Sequence, residues 1–335
     1  MCKFPRATLA HTPTPLEKLA RLSDEFEGYQ LYVKRDDCTG LAMGGNKARQ
    51  LEFYLGDALA RGCDTVLSTG AVQSNYMRMI AAATAKLGLE CHIQLEQRVD
   101  NSSEDYRHSG NVLLDHLFGA NLHHFPLGED EDGADKSVAA LADELTSRGK
   151  WPYIIPLGRT LEPKGALGYV VAAIELVQQI ENQDLPIDLI VVGSGSGMTH
   201  AGLLAGLKLM GVTTPVLGIC VRRDALQQHL RIFEHCQNLL KMLGQPGAVN
   251  ADDVWVDDSA LAPGYGQATT RVKQDMHLLA TREGLLTDPV YSGKTFSGVM
   301  NLIRSGGAEK FRHIAVIHTG GTPAIFAYRK ELIDG

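Results

Sequence analysis

Three polar, glycine-rich segments hold the residue types that could do chemistry. The first, Ala42-Met43-Gly44-Gly45-Asn46-Lys47-Ala48-Arg49, leads into a helical pattern in which Leu51, Leu55 and Leu59 recur four apart beside Tyr54 and Ala58. Lys47 then falls at the N-terminal edge of a helix, where the helix dipole disfavours a cation and lowers an amine's pKa. A neutral amine is a nucleophile that can form a Schiff base with a carbonyl; a solvated lysine after a turn is the plainer reading of the same residue. The second segment, Thr69-Gly70-Ala71-Val72-Gln73-Ser74-Asn75-Tyr76, lies between an apolar strand pattern and a helix. Ser74 and Asn75 suit helix capping. Equally, Gln73, Ser74 and Asn75 with the first helical N–H groups would cradle a carboxylate. The third, Val191-Val192-Gly193-Ser194-Gly195-Ser196-Gly197-Met198-Thr199-His200, runs from a strand through a glycine loop into a helix, a turn whose amides suit a phosphate.

Spacing argues against nucleotides. The glycine loop is not the dinucleotide fingerprint, because Gly193 and Gly195 are followed by Met198, and Gly195 and Gly197 by His200, where the third glycine belongs. Arg222 and Arg223, after the next strand, could mimic a 2′-phosphate site and keep NADP as an alternative. Gly293-Lys294-Thr295 resembles the end of a P-loop, yet the glycine required five positions earlier is Asp288, followed by Pro289. A carboxylate repels phosphates and a proline has no N–H to offer; Lys294 is expected at the surface or at a helix start. A Schiff-base lysine, a carboxylate cradle and a single-phosphate loop are together the parts that a pyridoxal 5'-phosphate enzyme acting on amino acids requires.

The elements that must position these segments alternate along the chain. Short apolar strands are expected near 31–34, 65–68, 92–95, 122–125, 153–156, 189–192, 216–221, 254–256 and 314–317. Helices are expected near 75–87, 104–117, 134–148, 165–182, 198–210, 224–243 and 268–283. Strands alternating with helices predict an α/β fold with parallel sheets covered on both faces. At 335 residues two interwoven lobes are expected, because no Gly/Ser or Pro-rich linker divides the chain. Hydrophobic residues at 44% and charged ones at 21% fit a soluble globular protein. A net charge of −7 argues against nucleic acid or anionic membrane as a partner. Cys2, Cys38, Cys63, Cys91, Cys220 and Cys236 show no clustered spacing, which suits reduced thiols in a cytoplasm and no metal site. The acidic run from Gly128 to Gly133 reads as a solvated loop.

Eight ordered motifs extend the reading: Pro13-Thr14-Pro15-Leu16, Lys34-Arg35-Asp36-Asp37, Gly44-Gly45-Asn46-Lys47, Gln73-Ser74-Asn75, Gly165-Ala166-Leu167-Gly168-Tyr169, Ala262-Pro263-Gly264-Tyr265-Gly266, Asp288-Pro289-Val290-Tyr291 and His318-Thr319-Gly320-Gly321. Through them essentially the whole chain resembles the pyridoxal-phosphate lyases that include 1-aminocyclopropane-1-carboxylate deaminase and D-cysteine desulfhydrase, with the related L-cysteate sulfo-lyases. The resemblance implies a tryptophan-synthase-β-like (fold type II) architecture. A small lobe, 48–164, would be inserted in a large one, 1–47 and 165–335, and the molecule would be a homodimer. It implies that Lys47 holds pyridoxal 5'-phosphate and shuttles the Cα proton, and that Asn75 bonds the cofactor's phenolic oxygen. Gly195, Ser196, Gly197, Met198 and Thr199 would cradle the phosphate, with Thr319 and Ser292 near the pyridine nitrogen. Gln73, Ser74 and Asn75 would take the substrate carboxylate, Ser74 being also a candidate nucleophile or base, and Tyr265 and Tyr291 would flank substrate and ring.

Departures from the family pattern bear on the reaction. In the cyclopropane deaminases a glutamate follows the Asp-Pro-Val-Tyr motif near the pyridine nitrogen; here the residue is Ser292. A carboxylate there strengthens the electron sink that ring opening needs, whereas a neutral hydroxyl suffices for expelling a good β-leaving group. The desulfhydrases carry histidine after Gln-Ser-Asn, where this chain has Tyr76, and Gly-Gly-Ser-Asn where it has Leu157 to Lys164. Within that stretch Arg159 is either a solvated residue at the lobe edge or a ligand for a second anionic group on the substrate. The expectation is a β-elimination lyase for a small amino acid such as D-cysteine or L-cysteate, releasing pyruvate, ammonia and sulfide or sulfite. Deamination of 1-aminocyclopropane-1-carboxylate to 2-oxobutyrate is the alternative.

Overall fold

The computed structural model describes residues 3–158 and 160–333 of the chain. In chain order the strands are β1 (Leu16–Lys18), β2 (Gln30–Lys34), β3 (Thr65–Ala71), β4 (Glu90–Glu96), β5 (Asn121–Phe125), β6 (Pro152–Ile154), β7 (Leu189–Ser194), β8 (Val216–Cys220), β9 (Trp255–Asp257) and β10 (His313–Ile317). The α-helices are α1 (Ala20–Asp24), α2 (Lys47–Ala60), α3 (Asn75–Leu87), α4 (Glu104–His108), α5 (Gly110–Leu117), α6 (Glu131–Ser147), α7 (Leu167–Asn182), α8 (Met198–Leu209), α9 (Ala225–Leu243), α10 (Thr270–Glu283), α11 (Ser292–Arg304), α12 (Ala324–Ala327) and α13 (Arg329–Ile333).

The strands make a six-stranded sheet, in the order β1-β2-β10-β7-β8-β9, and a four-stranded one, β5-β4-β3-β6. Every pairing is parallel except β1 with β2. Alternation along the strands explains why both faces are covered. Leu189 and Val191 of β7 join the core on one face of the larger sheet, while Ile190 and Val192 join the core on the other. Ile314 and Val316 of β10 divide from Ala315 and Ile317 in the same way. In β3, Val66 and Leu67 enter separate clusters.

The structure departs from the sequence expectation at several points. The antiparallel β1 is three residues long and too short to show a period. The helical pattern over 104–117 breaks into α4 and α5 at Gly110, which has φ +59° and sits so close to Pro323 that a Cβ would lie 2.9 Å from its carbonyl oxygen. The acidic run is no free loop: Asp130 caps α6 by accepting from Gly133 N at 2.9 Å, and Glu131 pairs with arginines from beyond β8. Lys294 lies at the start of α11, as one expectation had it, but not at the surface. It is fully buried, and its Nζ donates to the carbonyls of Leu261 and Gly264, both at 2.7 Å.

A buried polar cluster anchors the helix that begins with Lys47. Arg49, one turn into α2, donates to Asp36 at 2.9 and 3.0 Å and to Glu175 of α7 at 2.8 and 2.9 Å. Tyr169 also donates to Asp36, and Lys34 of β2 to Glu175. Within each sheet the parallel strands end on the same side, and the loops after β3, β4, β7, β8 and β10 line one crevice, where an open α/β sheet binds its ligand.

Candidate active site

Lys47 opens this crevice from the first turn of α2. Burial lowers its amine from 10.5 to about 8. Among the described residues no carboxylate pairs with it, and the centroid of the Tyr76 ring lies 5.3 Å from its Nζ. The preceding loop is tied to the other walls. Asn46 N donates to Thr319 O at 3.1 Å, and Asn46 Nδ2 and Gln50 Nε2 donate to Thr199 Oγ1 at 2.8 and 2.7 Å.

Opposite stands the loop from β7 to α8. The carbonyl of Gly195 accepts from Arg223 Nη1 at 3.3 Å and Gln228 Nε2 at 3.1 Å. That of Ser196 accepts from Arg231 Nε at 3.0 Å and His235 Nε2 at 3.1 Å. In a trans peptide the N–H points opposite the C=O, so with both carbonyls held toward α9 the amides of Ser196 and Gly197 face the other way, into the crevice. Gly197 has φ +101°, and a Cβ on it would stand 2.9 Å from His235 Cδ2 and Ile232 Cδ1. Amides converging at the start of a twelve-residue helix form an anion cradle.

Ser74 caps α3, its Oγ accepting from Tyr76 N at 3.2 Å and Met77 N at 3.4 Å, and it lines the crevice together with Asn75. Tyr265 and Tyr291 close a further wall, their rings edge-to-face at 6.0 Å. Burial holds the Tyr265 phenol well above its ordinary range, so it stays protonated. The structure thus brings Lys47, Ser74, Asn75, Gly195, Ser196, Gly197, Thr199, Tyr265, Tyr291 and Thr319 to one crevice.

Other expected residues are turned away from the crevice or already engaged by protein partners. Gln73 spends its side chain on the backbone: Nε2 donates to Tyr106 O at 2.6 Å and Ser109 O at 3.0 Å, and Oε1 accepts from Asn111 N at 2.9 Å. It has no group left for a substrate carboxylate. The Met198 side chain enters the hydrophobic core, leaving only its backbone near the cradle. Ser292 faces Asp288, donating to its Oδ1 at 2.6 Å and accepting from its backbone N at 2.8 Å, and does not line the crevice. Arg222 and Arg223, considered for a 2′-phosphate, are committed to Glu131 of α6. Arg159 lies outside the described residues. Sequence reasoning missed Arg98 and Arg231, which line the crevice with Arg222. Arg98 is held by Glu96 at 2.7 Å; no local pattern marks either residue.

A neutral-poised amine facing an amide cradle fits an aldehyde-bearing phosphate such as pyridoxal 5'-phosphate. Comparison with known proteins agrees. The sequence profile described as "Pyridoxal-phosphate dependent enzyme" matches residues 7–320. D-cysteine desulfhydrases of Serratia proteamaculans (strain 568) and Salmonella typhi are each 40% identical to the chain, covering 99% of it and 98% of their own length. A solved structure described as an ACC deaminase homologue superposes with a TM-score of 0.89 at 36% identity, covering 99% of this chain and 97% of that one.

Proposed function

The chain belongs to the family of pyridoxal-phosphate dependent enzymes, and from that premise we propose that it is a carbon–sulfur lyase that β-eliminates a small amino acid of the D-cysteine or L-cysteate type. The observation that carries the reading is Lys47, an amine lowered to about 8 with no carboxylate partner among the described residues, set in the same crevice as the amide cradle. Full-length identity with proteins named D-cysteine desulfhydrase supports the reaction class.

When bound, pyridoxal 5'-phosphate draws electrons from the amino acid's Cα and acidifies its proton. In this proposal the amides of Ser196, Gly197 and Met198 and the Thr199 region hold the phosphate, Asn75 meets the phenolic oxygen, and Thr319 faces the ring nitrogen. Lys47 Nζ accepts the Cα proton as a neutral amine, the form that dominates above about pH 8. Asn75 N, the first N–H of α3 and the one in that turn not bonded to Ser74, orients the substrate carboxylate, with Ser74 Oγ beside it. Tyr265 and Tyr291 wall off the substrate's side chain from water. The C–S electron pair leaves with sulfur, and the enamine left behind takes up water to give pyruvate and ammonia. D-Cysteine would release sulfide, and L-cysteate sulfite. The same reading carries a lobe division at 47/48 and 164/165 and a cytoplasmic homodimer.

The 36% identical ACC deaminase homologue favours a second reading, deamination of 1-aminocyclopropane-1-carboxylate. Against it, Ser292 supplies no carboxylate, and the neighbouring Asp288 carboxylate is saturated by the N–H groups of Val290, Tyr291 and Ser292 and the Ser292 hydroxyl. The deciding experiment assays pyruvate, 2-oxobutyrate and ammonia across D-cysteine, L-cysteine, L-cysteate, D-serine and the cyclopropane amino acid. Pyruvate from a sulfur substrate is expected. 2-Oxobutyrate from the cyclopropane acid with no pyruvate from the others would replace this reading by the second.

A further inference from the structure

We propose that Asn111 is a positioning residue: it fixes which end of the Asn75 carboxamide faces the crevice, so that Asn75 presents its Nδ2 donor there. The proposal rests on the pyridoxal-phosphate reading and adds the residues that make Asn75 a donor.

A carboxamide can be turned end for end with little change in shape, so its orientation must come from its neighbours. Those of Asn111 leave no ambiguity. Its Oδ1 lies 2.8 Å from Arg78 Nη1, which can only donate, and its Nδ2 lies 3.0 Å from the backbone carbonyl of Gln73, which can only accept. The same Nδ2 reaches Asn75 Oδ1 at 3.0 Å, and Arg78 Nη1 reaches it at 3.1 Å. Asn75 thus meets two donors on its buried side, and only its Oδ1 can face them. Its Nδ2 hydrogens, without a bond to any described residue, are left for an anionic oxygen in the crevice. The phenolic oxygen of the cofactor and a carboxylate oxygen of the substrate share that chemistry.

Each strut of the arrangement is itself braced. Asn111 is fully buried in the first turn of α5, and its backbone N donates to Gln73 Oε1 at 2.9 Å. This gives Gln73 a part, as the brace for Asn111. Arg78, also fully buried, reaches Gly44 O through Nη2 at 2.9 Å. One guanidinium therefore joins the loop that carries Lys47 to the helix start that carries Asn75. Among the described residues no carboxylate is hydrogen-bonded to it; Asp115 and Asp288 act on its charge only through space.

The test is titration of apoenzyme with free pyridoxal 5'-phosphate, followed by protein fluorescence and by the absorbance of the bound cofactor. Asn111→Asp keeps the shape and keeps an acceptor opposite Arg78, but removes the donor facing Asn75 Oδ1. Two acceptors would then oppose each other, and Asn75 should turn its Oδ1 toward the crevice. The expected result is at least a ten-fold weaker dissociation constant and a displaced absorbance maximum, with a lowered melting temperature because the bond to Gln73 O is lost as well. Asn111→Ala, which removes the donor without imposing an acceptor, should weaken binding by only about three-fold. Asn75→Asp should weaken binding on its own, and adding it to Asn111→Asp should cost little more, because both act on one donor. Wild-type affinity in Asn111→Asp, equal losses in the Ala and Asp variants, or multiplying losses in the double variant would each overturn the proposal. A wild-type protein that takes up no cofactor would instead sink the reading beneath it.

Discussion

Lys47 Nζ lies 5.3 Å from the centre of the Tyr76 ring, a surface that favours the ammonium form. Burial lowers this amine to about 8, so the neutral, nucleophilic form accumulates as pH rises through that value. The rate at which apoenzyme captures pyridoxal 5'-phosphate should climb about ten-fold per unit below pH 8 and level off above it, as stopped-flow absorbance would follow. An ordinary lysine would still be climbing at pH 10. Lys47→Ala should abolish both the capture band and turnover. Tyr76→Leu should move the midpoint down by about half a unit, because the ring favours the ammonium by roughly 0.5–1 kcal/mol.

Glu131 links α6 to the far wall of the crevice, pairing with Arg222 at 2.6 Å and also with Arg223. Burial pushes its carboxyl up, but Arg222, Arg223 and Arg231 outweigh burial and hold it below the usual carboxylate value of 4.5. A depressed carboxyl contributes stability that is present above its unfolded pKa and lost as pH falls through the folded one. Glu131→Gln should lower the urea-unfolding free energy by about 1–2 kcal/mol at pH 7 and flatten part of the decline below pH 4.5. Since Arg222 and Arg231 line the crevice, the substrate KM should rise several-fold more than kcat falls. Equal stability of variant and wild type at pH 7 would remove the link.

Gly197 can accept a side chain only by displacing His235 and Ile232, since a Cβ there would approach both at 2.9 Å, and its φ of +101° is costly for any other residue. His235 in turn holds the Ser196 carbonyl. Gly197→Ala should therefore turn the amides of the cradle and weaken cofactor binding by ten-fold or more, read by fluorescence titration. The melting temperature should fall by only a few degrees. Unchanged affinity would mean that this loop does not hold the phosphate.

What the sequence discloses here is mostly local. Leu51, Leu55 and Leu59 announce the helix behind Lys47, and the glycine loop after Val192 announces the turn into α8. Arg98 and Arg231 stay hidden because nothing near either marks it: one follows β4, the other lies inside α9, and only the fold sets them on one crevice. Gln73 misleads for the same reason. Its partners Tyr106, Ser109 and Asn111 are more than thirty residues away, so a side chain that looks free in sequence is spent. Lys294 is buried by carbonyls at Leu261 and Gly264 that no motif foretells.

Ser292 is the sharpest instance, and it can be tested. The family resemblance sets it beside the cofactor ring, whereas the structure turns its hydroxyl to Asp288, donating at 2.6 Å and accepting at 2.8 Å. The two placements predict different behaviour of Ser292→Ala. A hydroxyl touching the ring would, on removal, shift the cofactor's absorbance and alter its affinity. A hydroxyl that closes the turn from Asp288 to Ser292 would leave the spectrum alone and cost stability, about 1–2 kcal/mol for two buried hydrogen bonds, one of them to a carboxylate. The geometry requires the second outcome. Urea unfolding beside an absorbance spectrum of the loaded variant separates them, and a displaced band with unchanged stability would return Ser292 to the cofactor.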